Sequence, residues 1–291
     1  MRIAVTGSKG QVATSLLERA GPKAEVVALG RPAFELADRA AVIAGLEAAR
    51  PDVIVNAAAY TGVDKAESEE AIAVRVNGDG AGHVAEAAAR LGVPLLHLST
   101  DYVFDGLLDR PYREDDPTAP TGAYGRSKLA GEKAVADRCE DSVILRTAWV
   151  YSPFGANFVR TMLRLNETRD EVGVVADQRG NPTSALDIAD ALTAIAAKVK
   201  DDASPALRGV FHMTGSGEAT WADFAEAVFH EAAERGRRVT RVKRIATADY
   251  PTPARRPANS RLDNTKLARV YGLELPEWRQ SAAVCCTRLL S

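Results

Sequence analysis

The chain has 291 residues, enough for two ordinary domains or one large one with a substantial core. Apolar residues make up 46% and charged residues 26%, an ordinary globular composition. Lys and Arg total 37 against 39 Asp and Glu, a formal charge of -2 that excludes the strongly basic balance of a general nucleic-acid binder.

The first half alternates short apolar runs with helical patterns. Arg2-Ile3-Ala4-Val5 reads as a buried strand, Gln11 to Arg19 as a helix and Glu25 to Leu29 as a second strand. Asp38 is placed to cap a helix running to about Ala49. Pro51 to Asn56 is a third strand. A long alanine-rich helix from about Glu67 to Leu91 follows, ended by Gly92 and Pro94. Leu95 to Ser99 is a fourth strand, Tyr124 to Ala136 a helix and Val143 to Leu145 a fifth strand. Strands apolar on both faces and separated by helices predict an α/β fold, a doubly wound parallel sheet of the Rossmann type. Beyond Val150 the pattern is less regular. Phe158 to Asn166, Ala185 to Val199 and Trp221 to Glu234 read as helices, the last capped by Thr220. Val210 to Met213 is a strand, Tyr250 to Ser260 a proline-rich loop and Glu277 to Leu290 a closing helix. Residues 1-150 are expected to bind a dinucleotide. Residues 151-291 are expected to form a smaller α/β substrate-binding part interwoven with the first.

No apolar run approaches the ~20 residues that span a bilayer. The N-terminus reads as a strand rather than a signal peptide. Cys139, Cys285 and Cys286 lack metal-ligand spacing, and the adjacent pair is a poor staple. His97, inside the fourth strand pattern, reads as a satisfied core residue. The expectation is a reduced, cytoplasmic protein without a metal site or a membrane partner.

Gly7-Ser8-Lys9-Gly10-Gln11-Val12-Ala13 joins the first strand to the first helix. Small residues there let the backbone turn tightly and approach a pyrophosphate, and the helix N-terminus offers free N–H groups. The second strand ends Leu29-Gly30-Arg31, without the acid that would take the ribose 2′-hydroxyl of NAD. Arg31 suits the 2′-phosphate of NADP, with Lys9 of the glycine loop in a position to assist, unless it is simply a solvated loop residue. NADPH is therefore favoured over NADH. Ala57-Ala58-Ala59 after the third strand leaves room for a nucleoside at the carboxyl ends of the strands.

Tyr124-Gly125-Arg126-Ser127-Lys128 places a tyrosine and a lysine on one helix face. The lysine charge is expected to pull the Tyr124 pKa down toward working pH, making it an acid or base for a carbonyl/alcohol pair. Thr100, at the end of the fourth strand, would turn a hydroxyl into the same crevice and orient a substrate carbonyl.

These residues, in this order and on these elements, make the chain similar to the extended short-chain dehydrogenase/reductases. Within them it resembles the dTDP-4-dehydrorhamnose reductase family across nearly its whole length. The resemblance rests on the glycine loop and Asn56 to Asp64. It continues through Ser99 to Gly106, Tyr124 to Glu132, Arg146 to Tyr151, Asn157-Phe158, Asp177 to Thr183 and Arg256 to Asp263. It implies hydride transfer from NAD(P)H to the C4 keto carbon of dTDP-4-dehydro-L-rhamnose. Tyr124 would protonate the alkoxide, Lys128 would tune it, and Thr100 would hold the carbonyl oxygen. Gly7, Gly10, Gln11, Val12, Ala57, Ala58 and Ala59 would contact the cofactor, with Tyr124 and Lys128 also reaching it and Glu35-Leu36 near the adenine. Thr61, Val63, Asp101, Tyr102, Trp149 and Asn157 would line the sugar side.

Some of these readings have plain alternatives. Trp149 is either a plate for a sugar ring or a core residue. Arg256, beside Arg255 and Arg261, either neutralises a diphosphate or is solvated. The implied partner is a nucleotide sugar, with the chain a monomer or homodimer. Competing functions are a related deoxysugar ketoreductase, an epimerase or dehydratase, and a non-catalytic subunit resembling the regulatory partner of methionine adenosyltransferase. Asp101 is not followed by Glu, which favours reduction over dehydration.

Overall fold

The computed structural model describes residues 1–291. Its first half runs β1 (Arg2–Thr6), α1 (Gln11–Arg19), β2 (Glu25–Leu29), α2 (Arg39–Ala49) and β3 (Val53–Asn56). It continues through α3 (Val63–Ala66), α4 (Glu70–Val74), α5 (Gly80–Leu91), β4 (Leu95–Thr100), α6 (Ala123–Arg138) and β5 (Ser142–Thr147). The second half contains β6 (Val150–Tyr151), α7 (Phe158–Asn166), β7 (Glu171–Val175), β8 (Arg179–Gly180), β9 (Thr183–Ser184) and α8 (Ala185–Asp201). After these come β10 (Gly209–His212), β11 (Ala219–Thr220), α9 (Trp221–Ala233), β12 (Arg241–Ile245), α10 (Thr265–Tyr271) and α11 (Trp278–Leu290).

Six strands form one parallel sheet in the order β2-β1-β3-β4-β5-β10. The strand pattern explains why both faces are covered. Ile3, Val5, Val53, Val55, Leu96, Leu98, Val143 and Leu145 turn to one side and pack with Leu16 of α1 and Ile188 and Leu192 of α8. Ala4, Ile54, Leu95 and Ile144 turn to the other and pack with α2, α5 and α6 through Leu46, Val84 and Val135. Alternate residues of every strand therefore bury against opposite helical layers, as the continuous apolar runs require. The strand order reverses between β1 and β3, so the crevice at their carboxyl ends is the place where a doubly wound sheet takes its ligand.

A third apolar cluster joins α7, α9 and α11 around Tyr151, Phe224 and Trp278, with Cys285 and Cys286 buried in it as free thiols. Thr220 caps α9 through a reciprocal pair with Asp223, and Asp38 caps α2. Among the described residues, no helix is long and apolar enough to cross a membrane.

Three expectations need correction. The helix read from Glu67 to Leu91 is broken after α3, resumes at Glu70 and passes through a π-helical turn over Arg75–Asp79 before α5. Periodicity does not report one extra residue in a turn. The parallel pair β7–β12 was missed because its strands are short and largely solvent-facing, EVGVV and RVKRI. His97 is buried but only half satisfied: Nδ1 meets the Asn56 amide at 3.0 Å, while Nε2 has no partner.

Candidate active site

The β1/β3 switch point is tied together by one threonine. The Thr6 hydroxyl accepts from the Ala57 and Ala58 amides at 3.1 and 3.0 Å and donates to Asn56 Oδ1 at 2.7 Å. Gly7 sits at φ 93°, and a Cβ there would be 3.3 Å from Ala58. The backbone of the glycine loop thus presses against the alanines after β3, a cradle that only glycine builds without strain. Gly10 begins α1 with no side chain capping its free N–H groups and no acid in the first turn. Together these features fit a pyrophosphate.

The remaining loop residues take different places. Val12 is buried under α1, and Gln11 faces outward from the helix start. Its Oε1 accepts from Ser152 Oγ at 2.8 Å and from Asn157 Nδ2 at 3.1 Å. Asn157 also donates to the Ser152 and Phe154 carbonyls and caps α7, so its amide is fully engaged in joining the 152–157 loop to α1. Arg31 lies beyond the β2 edge with its side chain 82% exposed, 3.9 Å from Glu35. Leu36, by contrast, is a core residue against α5.

At the other side of the crevice α6 approaches the turn after β4 very closely. Gly125 makes this possible, since a Cβ there would lie 2.2 Å from the Tyr102 carbonyl oxygen. The start of α6 receives its cap from elsewhere: Glu67 Oε1 accepts the Ala123 amide at 2.9 Å. The π-helical turn aims Asn77 at the same region. Asn77 clasps both backbone groups of Tyr60 and donates to Ser127 Oγ at 2.9 Å. Glu67, Asn77 and Ser127 were not anticipated; only the sequence spacing of Ser127 within the Tyr-Lys motif hinted at any of them.

This packing brings Thr100, Asp101, Tyr102, Tyr124 and Lys128 together. Tyr102 meets Tyr124 edge-on with ring centroids 5.5 Å apart. The buried Thr100 hydroxyl donates to Asp101 Oδ1 at 2.9 Å and accepts from the Tyr102 amide at 3.2 Å. Asp101 is 3% exposed and its Oδ2 has no hydrogen-bond partner, so burial pushes its carboxyl up to about 7 against the pull of the Thr100 hydroxyl. Lys128 donates to the Leu98 carbonyl at 2.7 Å, and burial lowers its ammonium to about 8.

The expected depression of the Tyr124 pKa is overturned. Burial raises it, and the neighbouring Asp101 and Tyr102 add to the rise, opposed only by the Thr100 hydroxyl. The reason is geometric: the ammonium of Lys128 is turned to Leu98, and the phenol faces an acid rather than a cation. Tyr124 is accordingly held protonated, the state from which a proton can be given.

Loops from the second half close the outer wall. Arg256 bonds Asp64 Oδ2 at 2.7 Å and the Tyr102 hydroxyl at 3.1 Å, and Asp64 also accepts the Ala254 amide. Arg256 is thus a bridge between the proline-rich loop, α3 and the crevice rather than a solvated residue. Val63 opens α3 half-buried, while Thr61 is exposed. Trp149 adopts a left-handed backbone, φ 49°, unusual for a bulky residue. It is stacked on Trp221 at 3.6 Å with 7° between the rings, and its Nε1 donates to Ser260 at 3.1 Å. One face of Trp149 is therefore committed to another indole.

Comparison with known proteins shows what the chain is similar to. The RmlD substrate binding domain family model matches residues 1–291. A Sinorhizobium fredii dTDP-4-dehydrorhamnose reductase is 56% identical over 97% of this chain and 95% of its own length. The crystal structure of a Clostridium acetobutylicum dTDP-4-dehydrorhamnose reductase superimposes with a TM-score of 0.92 at 34% identity, covering both chains completely (100% each). A Bacillus anthracis dTDP-4-dehydrorhamnose reductase solved in complex with NADP superimposes at 0.89, with 32% identity over 98% of each chain.

Proposed function

Because the chain belongs to the RmlD family of dTDP-4-dehydrorhamnose reductases, we propose that it reduces dTDP-4-dehydro-L-rhamnose to dTDP-L-rhamnose with NADPH. The observation that carries this reading is the joint placement of Thr100, Tyr124 and Lys128 beside the glycine-loop crevice. NADPH, when bound, supplies the hydride that reduces the C4 carbonyl.

The protein's own part is positional and electrostatic. The uncapped α1 terminus and the Gly7–Ala58 cradle receive the pyrophosphate, with Gly10, Gln11, Val12, Ala57 and Ala59 around it. Arg31, free of any tight partner, would hold the 2′-phosphate, with Glu35 beside it, and Leu36 would support the adenine side from within the core. The Tyr124 hydroxyl donates its proton to the substrate oxygen as charge develops there, and its raised pKa makes it a weak but fully loaded acid. Thr100 adds a second donor to that oxygen once its hydroxyl turns from Asp101. Lys128, held on the Leu98 carbonyl, would bring its charge to the tyrosinate left behind by turning from that carbonyl. Thr61, Val63, Asp101, Tyr102, the free edge of Trp149 and Arg256 form the sugar-diphosphate side, and Asn157 holds the adjoining loop. In this division the first 150 residues carry the cofactor and the remainder supplies the outer wall.

Tyr124→Phe tests the assignment. Turnover should fall by ~10² or more, while NADPH binding measured by fluorescence stays intact. Undiminished turnover would remove Tyr124 as the acid. Intact NADPH binding without reduction of any keto sugar by the unmodified protein would refute the reductase reading itself.

A further inference from the structure

Below the crevice the sheet contains a buried ion pair that the chemistry described so far does not use. Glu132, one helical turn beyond Lys128 on α6, and Arg146 on β5 have side chains only 5% exposed. Arg146 grips the carboxylate in bidentate fashion, Nε to Oε1 at 2.9 Å and Nη2 to Oε2 at 2.7 Å. Ser99 on β4 donates to the same Oε1 at 2.5 Å. Ser99 and Arg146 are direct neighbours across the β4–β5 ladder, one residue below Thr100 and Thr147. The guanidinium also lies over the Phe104 ring at 5.0 Å. α6 is therefore fastened to β4 at two consecutive residues, Lys128 to the Leu98 carbonyl and Glu132 to the Ser99 hydroxyl.

We infer that Glu132, clamped by Arg146 and Ser99, is a positioning residue that sets the register of α6 on β4 and serves as the counter-charge for the Lys128 ammonium. The geometry leaves it little competition for that role. The other titratable and charged groups near Lys128 are Tyr124 on its own helix, Asp101 in the turn after β4, His97 on β4 and Arg146 on β5, a cation already bound to Glu132. Tyr124 is neutral, and Asp101 spends its contacts on Thr100. His97 offers no negative charge: Thr6 accepts two amides and so must donate to Asn56 Oδ1. The Asn56 amide nitrogen then donates to His97 Nδ1 and places the imidazole proton on the unpartnered Nε2. Burial works against the Lys128 ammonium, and Glu132 is the one charged group that counters it. Clamping matters because a carboxylate free to rotate would let α6 slip along β4 and loosen the Lys128 contact with the Leu98 carbonyl.

For catalysis the inference rests on the reductase reading, so its test is arranged not to depend on turnover. Lys128 is titrated by NMR in cofactor-free protein carrying ¹⁵N-lysine, the Nζ signal being assigned with Lys128→Arg. Glu132→Gln combined with Arg146→Met replaces the pair by neutral groups, a change that buried ion pairs commonly tolerate. Glu132→Asp keeps the charge but shortens its reach. Relative to the unmodified protein, the titration midpoint should fall in the double variant, since of the two charges removed only the carboxylate acts on Lys128, and fall by less in Glu132→Asp. The alkaline limb of kcat/KM should move to lower pH in the same order. A folded variant of either kind whose Lys128 titrates unchanged would overturn the inference and leave Glu132 a purely structural tie. Absent turnover with a shifted titration would instead count against the reductase reading alone.

Discussion

A methyl group added at Gly125 tests how closely the chemistry depends on the approach of α6 to β4. An alanine Cβ would stand 2.2 Å from the Tyr102 carbonyl oxygen, 2.9 Å from Pro120 Cβ and 3.1 Å from the Tyr102 carbonyl carbon, where ordinary contact begins at 3.4 Å. The obstacles are backbone and a proline ring, not the tip of a mobile side chain. Helix and turn must therefore part by about 1 Å, a displacement of the size that costs ~10²-fold in rate when reacting groups lose alignment. It falls directly between Tyr124 and Thr100. Overpacking should also cost ~1–3 kcal/mol of stability. The glycine loop and its cradle lie on β1, α1 and β3, so NADPH affinity should change little. The assay is loss of reduced-nicotinamide absorbance with dTDP-4-dehydro-L-rhamnose, run beside a fluorescence titration of NADPH and a thermal melt. Gly125→Ala that is folded, binds NADPH and turns over at the unmodified rate would refute the claim that this contact sets the catalytic geometry.

Two other expectations concern charge and a third a helix cap. Arg31→Ala should weaken NADPH by ~10-fold or more, the worth of a charge-assisted contact, and leave NADH nearly unaffected; equal losses for both cofactors would exclude Arg31 from the 2′-phosphate. Asp101 has a folded pKa of about 7 against 3.8 for the free side chain, so the folded protein binds its proton more tightly than the unfolded chain does. Its contribution favours folding below about pH 4 and is lost as pH rises through 7, by at most about 4 kcal/mol. Asp101→Asn should accordingly flatten the fall in stability over that window, and urea melts at several pH values would show a parallel decline if the carboxyl were not responsible. Thr220→Ala removes the capping box of α9 beneath the Trp149–Trp221 stack and should cost ~1 kcal/mol, read as a lower melting temperature with NADPH affinity unchanged.

The doubly wound sheet was legible because its strands are apolar on both faces, a pattern few other arrangements require. The glycine loop and the Tyr124–Lys128 spacing were legible because local backbone geometry fixes their relation. What escaped was whatever arises only when distant segments meet. Asn77 acts through a π-helical turn that periodicity smooths over. Glu67 caps a helix 56 residues away. Arg256 finds Asp64 across 192 residues. The direction of the Tyr124 pKa escapes for the same reason: sequence places Lys128 on the right face, but only packing reveals that its ammonium turns to Leu98 and that burial and Asp101 hold the phenol protonated.

The strand that finishes the central sheet has a consequence for how the protein can be made. β10 pairs along β5, whose Val143, Ile144 and Leu145 are buried on both faces, yet it is encoded far downstream at Gly209–His212. Until residue 212 has left the ribosome, β5 is a bare edge with apolar flanks, the kind of surface that recruits another chain. Cutting the gene after residue 150 would release not a small cofactor-binding module but a template for edge-to-edge association. Biosynthesis therefore exposes this chain to self-recognition from the emergence of β5 until β10 has followed it.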